Sequence, residues 1–434
     1  MRRILGVIDS DSYAKWGASL LAQLGPGWAV ELVEIESRLA ASDAQLAFAL
    51  AGTGFRADAA PRASLREIVE HLARGGHDAV FVSTSGAVSE AVITEITRRV
   101  HPRPVIMTGL PGISIPAKYK GVFRRAQADL FVLHSHRELR AYRELSERRA
   151  VPHNYALATL PFLDRREEEA PWAGERDSIV FAAQPGVPPT LAERRAVVAW
   201  LVQTARAHPR LRVVIKVRAQ AGERQTHRER HPYVELVPRD APANLVVEGG
   251  SMGAHLARAV GFVTVSSTAA IEAIAAGVPS LVLTDFGVSG DLINEVFVGS
   301  GLLGPSGDLI AARFRQVDPR WRQDNYFHPA DDNDWQQRLE TLAELRDAGI
   351  LPARPAKRRS RGGALRRAWD RKRAFGAYDR TALGYLAAVI GYPVLAVRRA
   401  AAALRRPAPA AAFADGAAAP GEAGESVTAP AVRG

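Results

Sequence analysis

The chain has 434 residues, 47% of them hydrophobic and 24% charged, enough for two or three domains with proper cores and too apolar for wholesale disorder. Cysteine is absent, which excludes disulfides, thiolate metal sites, iron–sulfur clusters and a thiol nucleophile. The net charge of +11 is concentrated: residues 354–406 carry fifteen Lys/Arg against Asp370 and Asp379, while residues 1–353 sum to zero, so the folded body lacks the basic face of a nucleic-acid-binding module.

The first nine residues place an acid, Asp9, after a short apolar run. A secretory signal has a longer apolar core, so a cytosolic protein is expected. Apolar runs at 4–8, 30–35, 79–83, 104–107 and 130–134 read as strands, with helices predicted at 13–24, 65–73, 88–100 and 137–147. Such alternation indicates parallel βαβ units with a sheet covered on both faces. Residues 1–162 are therefore expected to form one Rossmann-like domain, followed by a polar interdomain linker at 163–176.

The alternation then restarts, with a strand at 178–183, a helix at 191–207 and strands at 211–217, 234–237, 262–265 and 280–283. This predicts a second Rossmann-like domain over 177–350, closed by a helix at 332–345. The expected fold class is α/β, two such domains facing across a cleft where strand C-termini and helix N-termini meet. Residues 351–406 read as basic amphipathic helices. One is a basic helix at 364–375, and the other is the sixteen-residue uncharged stretch 382–397. At about 1.5 Å per residue that stretch is short of a roughly 30 Å hydrocarbon core, and Pro393 interrupts it. The Ala/Pro/Gly-rich tail at 407–434 is expected to be disordered.

The most informative segment is a strand running into Ser266-Ser267-Thr268, then a helix of small residues carrying Glu272, then Gly277-Val278-Pro279 and the next strand. Hydroxyls, free backbone N–H groups and the helix dipole at such a start favour an anion, phosphate above all. Glu272, one turn on, is placed to accept from a ribose diol. A Ser/Thr cap with no ligand is the plainer alternative. Lys216 and Arg218 end a strand two residues apart, on one face, where they suit a diphosphate leaving group; two solvated cations are the other reading. Phe286 is a candidate to pack on a base or sugar.

In the first half, Asp9-Ser10-Asp11-Ser12 follows the first strand. An Asp-x-Asp pair suits a hard cation, but its place on a first strand favours a general base that takes the proton of an acceptor hydroxyl, Asp11 first and Asp9 second. Capping the following helix is the alternative. No metal site is assigned. Ser12, Lys15 and Trp16 on that helix belong to the candidate acceptor side, as do Ser85, Gly86 and Glu90 at a second strand-to-helix mouth. His134 completes it, as a possible base or as a hydrogen-bonded structural imidazole.

The segment from Gly261 to Leu283 resembles the nucleotide-sugar-binding region of GT-B-fold glycosyltransferases, particularly bacterial capsule-polysaccharide and polysialyltransferase-like enzymes. Asp9 through Trp16, together with Pro111-Gly112-Ile113 and the stretch from Arg124 to Asp129, resembles a related, mostly actinobacterial group of glycosyltransferase-like proteins. The likeness spans about residues 3–303. It implies a GT-B fold, a nucleotide-sugar donor held by the second domain and a cell-envelope glycan or lipid-linked acceptor. The implied transfer is a single displacement with no obligatory cofactor or metal. Related enzymes carry Lys-x-His-Pro where this chain has Lys216-Val217-Arg218. The rival readings are a nucleotide-sugar epimerase, a polyol-phosphate transferase, and a non-catalytic nucleotide-sugar-binding protein.

Trp369, Phe375, Tyr378, Tyr385 and Tyr392 interleave with the cations of residues 354–406. That mixture suits an anionic membrane surface, so the expected location is cytoplasmic and peripheral, at the inner face of the plasma membrane. A basic tail binding RNA nonspecifically and a short transmembrane hairpin are the alternatives; no specific nucleic acid is expected.

Overall fold

A computed structural model describes residues 1–161, 163, 174–184, 186–217, 230–354 and 363–404. The first half alternates β1 (Arg2–Ile8), α1 (Asp11–Leu21), β2 (Trp28–Ile35), α2 (Asp43–Leu50), β3 (Arg62–Ala63), α3 (Leu65–Ala73) and β4 (Ala79–Ser83). It continues with α4 (Gly86–Arg99), β5 (Val105–Gly109), α5 (Tyr119–Arg124), β6 (Leu130–Leu133), α6 (His136–Arg149) and β7 (Tyr155–Leu157). These strands form one parallel sheet in the order β3-β2-β1-β4-β5-β6-β7. Successive residues point to opposite faces: Ile4 and Ile8 enter the core on one side, and Leu5 and Val7 the core on the other. Helix starts follow local chemistry, with reciprocal capping boxes at Ser42/Gln45 and Ser64/Glu67 and Ser135 accepting from the Glu138 N–H.

The second half runs through β8 (Ser178–Ala182), α7 (Leu191–Ala207), β9 (Arg212–Lys216), α8 (Tyr233–Leu236), β10 (Leu245–Glu248), α9 (Met252–Ala257) and β11 (Ala259–Thr264). After it come α10 (Ala269–Ala275), β12 (Ser280–Leu283), β13 (Leu303–Gly304), α11 (Ser306–Ile310), α12 (Pro319–Asp324) and α13 (Trp335–Asp347). The sheet order is β10-β9-β8-β11-β12-β13, again parallel. Both sheets therefore reverse direction of growth between a first and a fourth strand, β1|β4 and β8|β11, the topological switch point of doubly wound folds.

Several expectations are corrected. The segment predicted as a strand at 234–237 is α8, because Pro232 opens a helical turn and Tyr233 is buried against Phe181; β10 supplies the missing strand. The closing helix does not belong to the second domain as the 177–350 boundary implied. Trp335, Leu339, Leu342 and Ala343 of α13 enter the core of the first domain. Glu340 accepts from Arg2 at 2.7 Å and Arg346 pairs with Asp78 at 2.9 Å. The chain thus crosses back, tying the halves together twice.

The appendage is α14 (Gly363–Phe375) and α15 (Ala382–Leu404). Pro393 lies inside α15 without ending it. No single described helix is long and apolar enough to cross a membrane. Most of the expected linker, and all of the tail at 407–434, fall outside the described residues.

Candidate functional site

The two sheets meet through their C-terminal strand ends. Gly112, in the loop after β5, sits where a Cβ would lie 3.2 Å from Thr268 Cγ2. Arg137, opening α6, donates to the carbonyls of Val296 at 2.7 Å and Glu295 at 3.2 Å. Tyr326 donates to Glu138 at 2.7 Å. The contact between the halves therefore runs through the segments after β5 and β6 on one side and those after β11, β12 and α12 on the other, and the segments after β1, β4 and β8 leave the same strand ends.

On the first-domain wall, Asp9 ends β1 and is 1% exposed. Its Oδ2 accepts the Ser85 N–H at 2.8 Å across the switch point, and its Oδ1 has no hydrogen-bond partner among the described residues. Burial pushes its pKa up, against hydrogen bonds from Ser85 and Ser10 that lower it. Asp9 is thus not a cap for α1, whose N-cap Ser10 makes no side-chain cap bond. Asp11 begins α1 and is half-buried, with Ser12 Oγ 3.4 Å from its Oδ1. Lys15, one turn along, is also half-buried. Gly17 holds α1 close to β4, since a Cβ there would lie 2.5 Å from Ser83 Oγ.

Three acceptor-side candidates do not face the crevice, and for Trp16 and His134 the structural alternatives hold. Trp16 is 1% exposed and packs on Phe81 in the core, so no sugar can stack on it; Gly109 leaves it room, a Cβ there lying 2.7 Å from the indole. His134 is fully buried, accepts the Trp16 indole N–H at 2.6 Å through Nε2 and donates from Nδ1 to Ala158 O at 2.8 Å. With both ring nitrogens occupied, and burial lowering its pKa to about 4, it is a neutral structural imidazole and not a base. Glu90 lines a cavity of about 380 Å³ between α4 and the appendage rather than the crevice.

Ser85 and Gly86 do stand at the mouth of α4. A Cβ on Gly86 would lie 3.1 Å from Arg124 Cδ and 3.6 Å from Arg125 Nη1. Glycine here permits two guanidinium groups to approach the helix start. Arg125 is 1% exposed and donates to Thr108 Oγ1, Thr84 O and Tyr13 OH, all neutral oxygens.

On the second-domain wall, Ser266, Ser267 and Thr268 lie between β11 and α10, progressing from buried to exposed. Contrary to expectation, the first N–H groups of α10 are mostly satisfied locally. Ala269 donates to Ser267 Oγ at 3.2 Å, Ala270 to Ser267 O and Ile271 to Thr268 O. Ser266 Oγ is different: buried, with no partner among the described residues. Glu272 is half-buried on α10. Lys216 ends β9, but it is 7% exposed and its Nζ donates to Val217 O at 2.8 Å, so it is not displayed to solvent. Arg218 lies outside the described residues. Phe286 is half-buried, with one face of its ring stacked on Trp200 of α7 at 5.4 Å.

The sequence reading missed Gln184. Phe181 pairs with Val263 across β8 and β11, and Thr264 Oγ1 donates to Ala182 O at 3.1 Å. Gln184 follows β8 as Ser266 follows β11, so both leave the C-terminal ends of the two strands that flank the second switch point. Gln184 Oε1 is likewise buried without a partner. A buried polar atom left unpaired costs about 1–3 kcal/mol. Such atoms recur at both switch points, Asp9 Oδ1 at one and Gln184 Oε1 with Ser266 Oγ at the other. Also missed was Glu138, which accepts from Ser114 N, His134 N and Tyr326 OH. No local spacing distinguishes Gln184 or Glu138; the strand end after 178–182 was the only available signal.

One Glu/His cluster among the described residues, Glu31, His71 and His77, has ligand atoms close enough for a metal. It lies toward the N-terminal end of the sheet, away from the crevice. Burial raises the Glu31 pKa, but Arg3 and His77 hydrogen bonds outweigh it and hold it down at about 2.

Two Rossmann-like domains with parallel sheets, joined at their strand C-termini and laced by a returning helix, define a protein of GT-B fold. Residues 4–342 match the family described as "Putative glycosyltransferase (DUF6716)", and the chain belongs to that family. No curated relative matches the sequence. Among solved structures, a UDP-GlcNAc 2-epimerase from Methanocaldococcus jannaschii is similar, with TM-score 0.53, 11% identity, and 79% of this chain and 100% of that one covered. An S. aureus MnaA–UDP structure is similar at TM-score 0.51 and 11% identity, covering 83% and 100%. Arabidopsis thaliana UGT89C1 complexed with UDP-L-rhamnose follows at 0.48 and 12%, covering 81% and 95%.

Proposed function

We propose that this protein transfers a sugar from a nucleotide-sugar donor to a hydroxyl of a cell-envelope glycan or lipid-linked acceptor. The observation that carries the reading is the set of unpaired buried polar atoms at the two facing switch points, in a chain of a glycosyltransferase family. Ligands of doubly wound folds bind at such points. The donor diphosphate is assigned to Ser266-Ser267-Thr268 and Gln184, with Glu272 on the ribose. The acceptor approaches from the side of Asp11, Lys15, Ser85 and Arg124. Asp11 takes the proton of the attacking hydroxyl, the new bond forms from that oxygen to the anomeric carbon, and the bond to the leaving diphosphate breaks. No obligatory metal is assigned, and inversion is expected of this single displacement.

Uridine diphosphate is the first nucleotide to test, because a similar structure holds it. Calorimetry on the full chain should show binding, and incubation with UDP-sugars and a cell-envelope lipid extract should give a glycosylated product. Interconversion of the donor sugar without transfer would replace this reading with an epimerase. Binding without any reaction would replace it with a nucleotide-sugar-binding protein.

A further inference from the structure

Helix α14 is built into the first domain. Ala374 and Phe375 enter the core that covers one face of the first sheet. Lys372, buried, donates to Asp379 O at 2.6 Å, and Arg371 pairs with Asp379 at 3.1 Å, fixing the turn into α15. That turn lies at the crevice-side rim. Gly376, with φ +61, sits where a Cβ would lie 2.7 Å from Cδ of Arg38, and Arg38 follows the C-terminal end of β2.

Over residues 382–397 helix α15 carries no charged side chain, yet only a narrow stripe of that segment is covered. Gly384, Ala387, Ala388, Gly391 and Leu395 are its less exposed positions. Gly391 leaves space for the Trp369 ring, which also meets Tyr392 edge-on at 5.1 Å. Opposite that stripe, Leu386 is 54% exposed, Val389 73%, Val394 51% and Val397 69%. A helix hydrophobic around its whole circumference belongs in a core or in lipid. No single described helix is long and apolar enough to cross a bilayer, and the α14–α15 pair, which passes by length and composition together, is bent by 104°. The hairpin also carries exposed cations. Arg366, Arg367, Arg373 and Arg380 are exposed, and Arg398-Arg399 follow in sequence. The hairpin's only acids, Asp370 and Asp379, pair with Arg366 and Arg371. A second copy of this chain would bring cations against cations, whereas an anionic headgroup layer over an acyl core complements both features.

We propose that α14 and α15 form a monotopic anchor that lays the exposed face of α15 into an anionic lipid bilayer and holds the crevice rim of the first domain beside it. The anchoring stands apart from the donor chemistry; only its use, delivery of a lipid-linked acceptor, rests on the proposed transfer. The test is flotation of the full chain with vesicles of phosphatidylcholine alone or mixed with phosphatidylglycerol. The chain should float with the anionic vesicles and be released by high salt. V389D combined with I390D should weaken binding by roughly tenfold or more. R366Q, R367Q and R373Q should each weaken it by about fivefold. Far-UV circular dichroism and Tm of all variants should match the parent. The proposal is overturned if the chain stays with the solute, floats equally with neutral vesicles, or floats unchanged as V389D/I390D. It is also overturned if, without vesicles, the parent is a dimer that V389D/I390D dissociates, or if it retains RNA but no vesicles. UDP calorimetry on the same samples separates failure of the anchor from failure of the transferase reading.

Discussion

The hydroxyl of Tyr326 donates to Glu138 at 2.7 Å, a bond between a carboxylate on α6 of the first domain and a tyrosine that follows α12 of the second. Both side chains are fully buried. Burial pushes the Glu138 pKa up, while bonds from His134 N, Tyr326 and Ser114 oppose it. The junction of the halves thus holds a carboxylate whose stability depends on having every partner in place.

Tyr326→Phe removes one of those partners while keeping the ring. It should destabilise the protein by about 1–3 kcal/mol, read from urea melts. Glu138→Ala should cost more, because it strands the N–H groups of Ser114 and His134 together with the tyrosine hydroxyl. A double-mutant cycle should give a coupling energy well above zero.

Ser266→Ala separates ligand binding from folding. Its Oγ has no partner among the described residues, so deleting it should leave Tm unchanged or slightly raised. UDP affinity should nevertheless fall by roughly 10–150-fold, as expected for one hydrogen bond of about 1.5–3 kcal/mol to a charged diphosphate. Loss of stability with unchanged affinity would remove Ser266 from the donor site.

Asp11→Asn should lower the transfer rate by roughly 10²–10⁴-fold, the contribution of a positioned base, with UDP affinity intact. Asp9→Asn keeps an oxygen for the Ser85 N–H and should lower the rate by less than about tenfold. Steady-state kinetics with both variants checks this order, and the reverse order would transfer the role to Asp9.

His134 makes stability depend on acid. Burial lowers its pKa from 6.5 to about 4, so between those values the unfolded chain binds a proton that the folded chain does not. Its contribution is fully present above pH 6.5 and is lost as pH falls toward 4, about 3 kcal/mol in all. Urea melts across this window should be steeper in pH for the parent than for His134→Gln, and the imidazole NMR signals of His134 should show the neutral ring at pH 5.5.

The order of strands and helices was legible because apolar runs and helical periodicity report whether a residue is covered. So were the neutral body, the basic appendage and the crevice-side position of Asp9, Asp11, Ser85 and Ser266, since each follows a strand. For Trp16 and His134 position alone left the core and structural readings open beside the acceptor-side one, and the structure takes the former. Trp16 stands midway along α1 and His134 follows β6, and both turn inward and bond to each other. Phe286 likewise finds Trp200 from a distant helix, and α13 carries an apolar stripe that fits the first core as well as the second.

The sequence alone determined two doubly wound units and the ends of their central strands, because local burial patterns depend on neighbours a few residues away, while the edge strand β10 emerged only in the fold. Only the tertiary structure decided which polar atoms at those ends remain unpaired, which helix covers which sheet, and that α15 keeps most of its apolar surface exposed. Hydrophobic burial is non-directional and any apolar face can cover another, whereas hydrogen-bond satisfaction depends on which distant atoms arrive within about 3 Å.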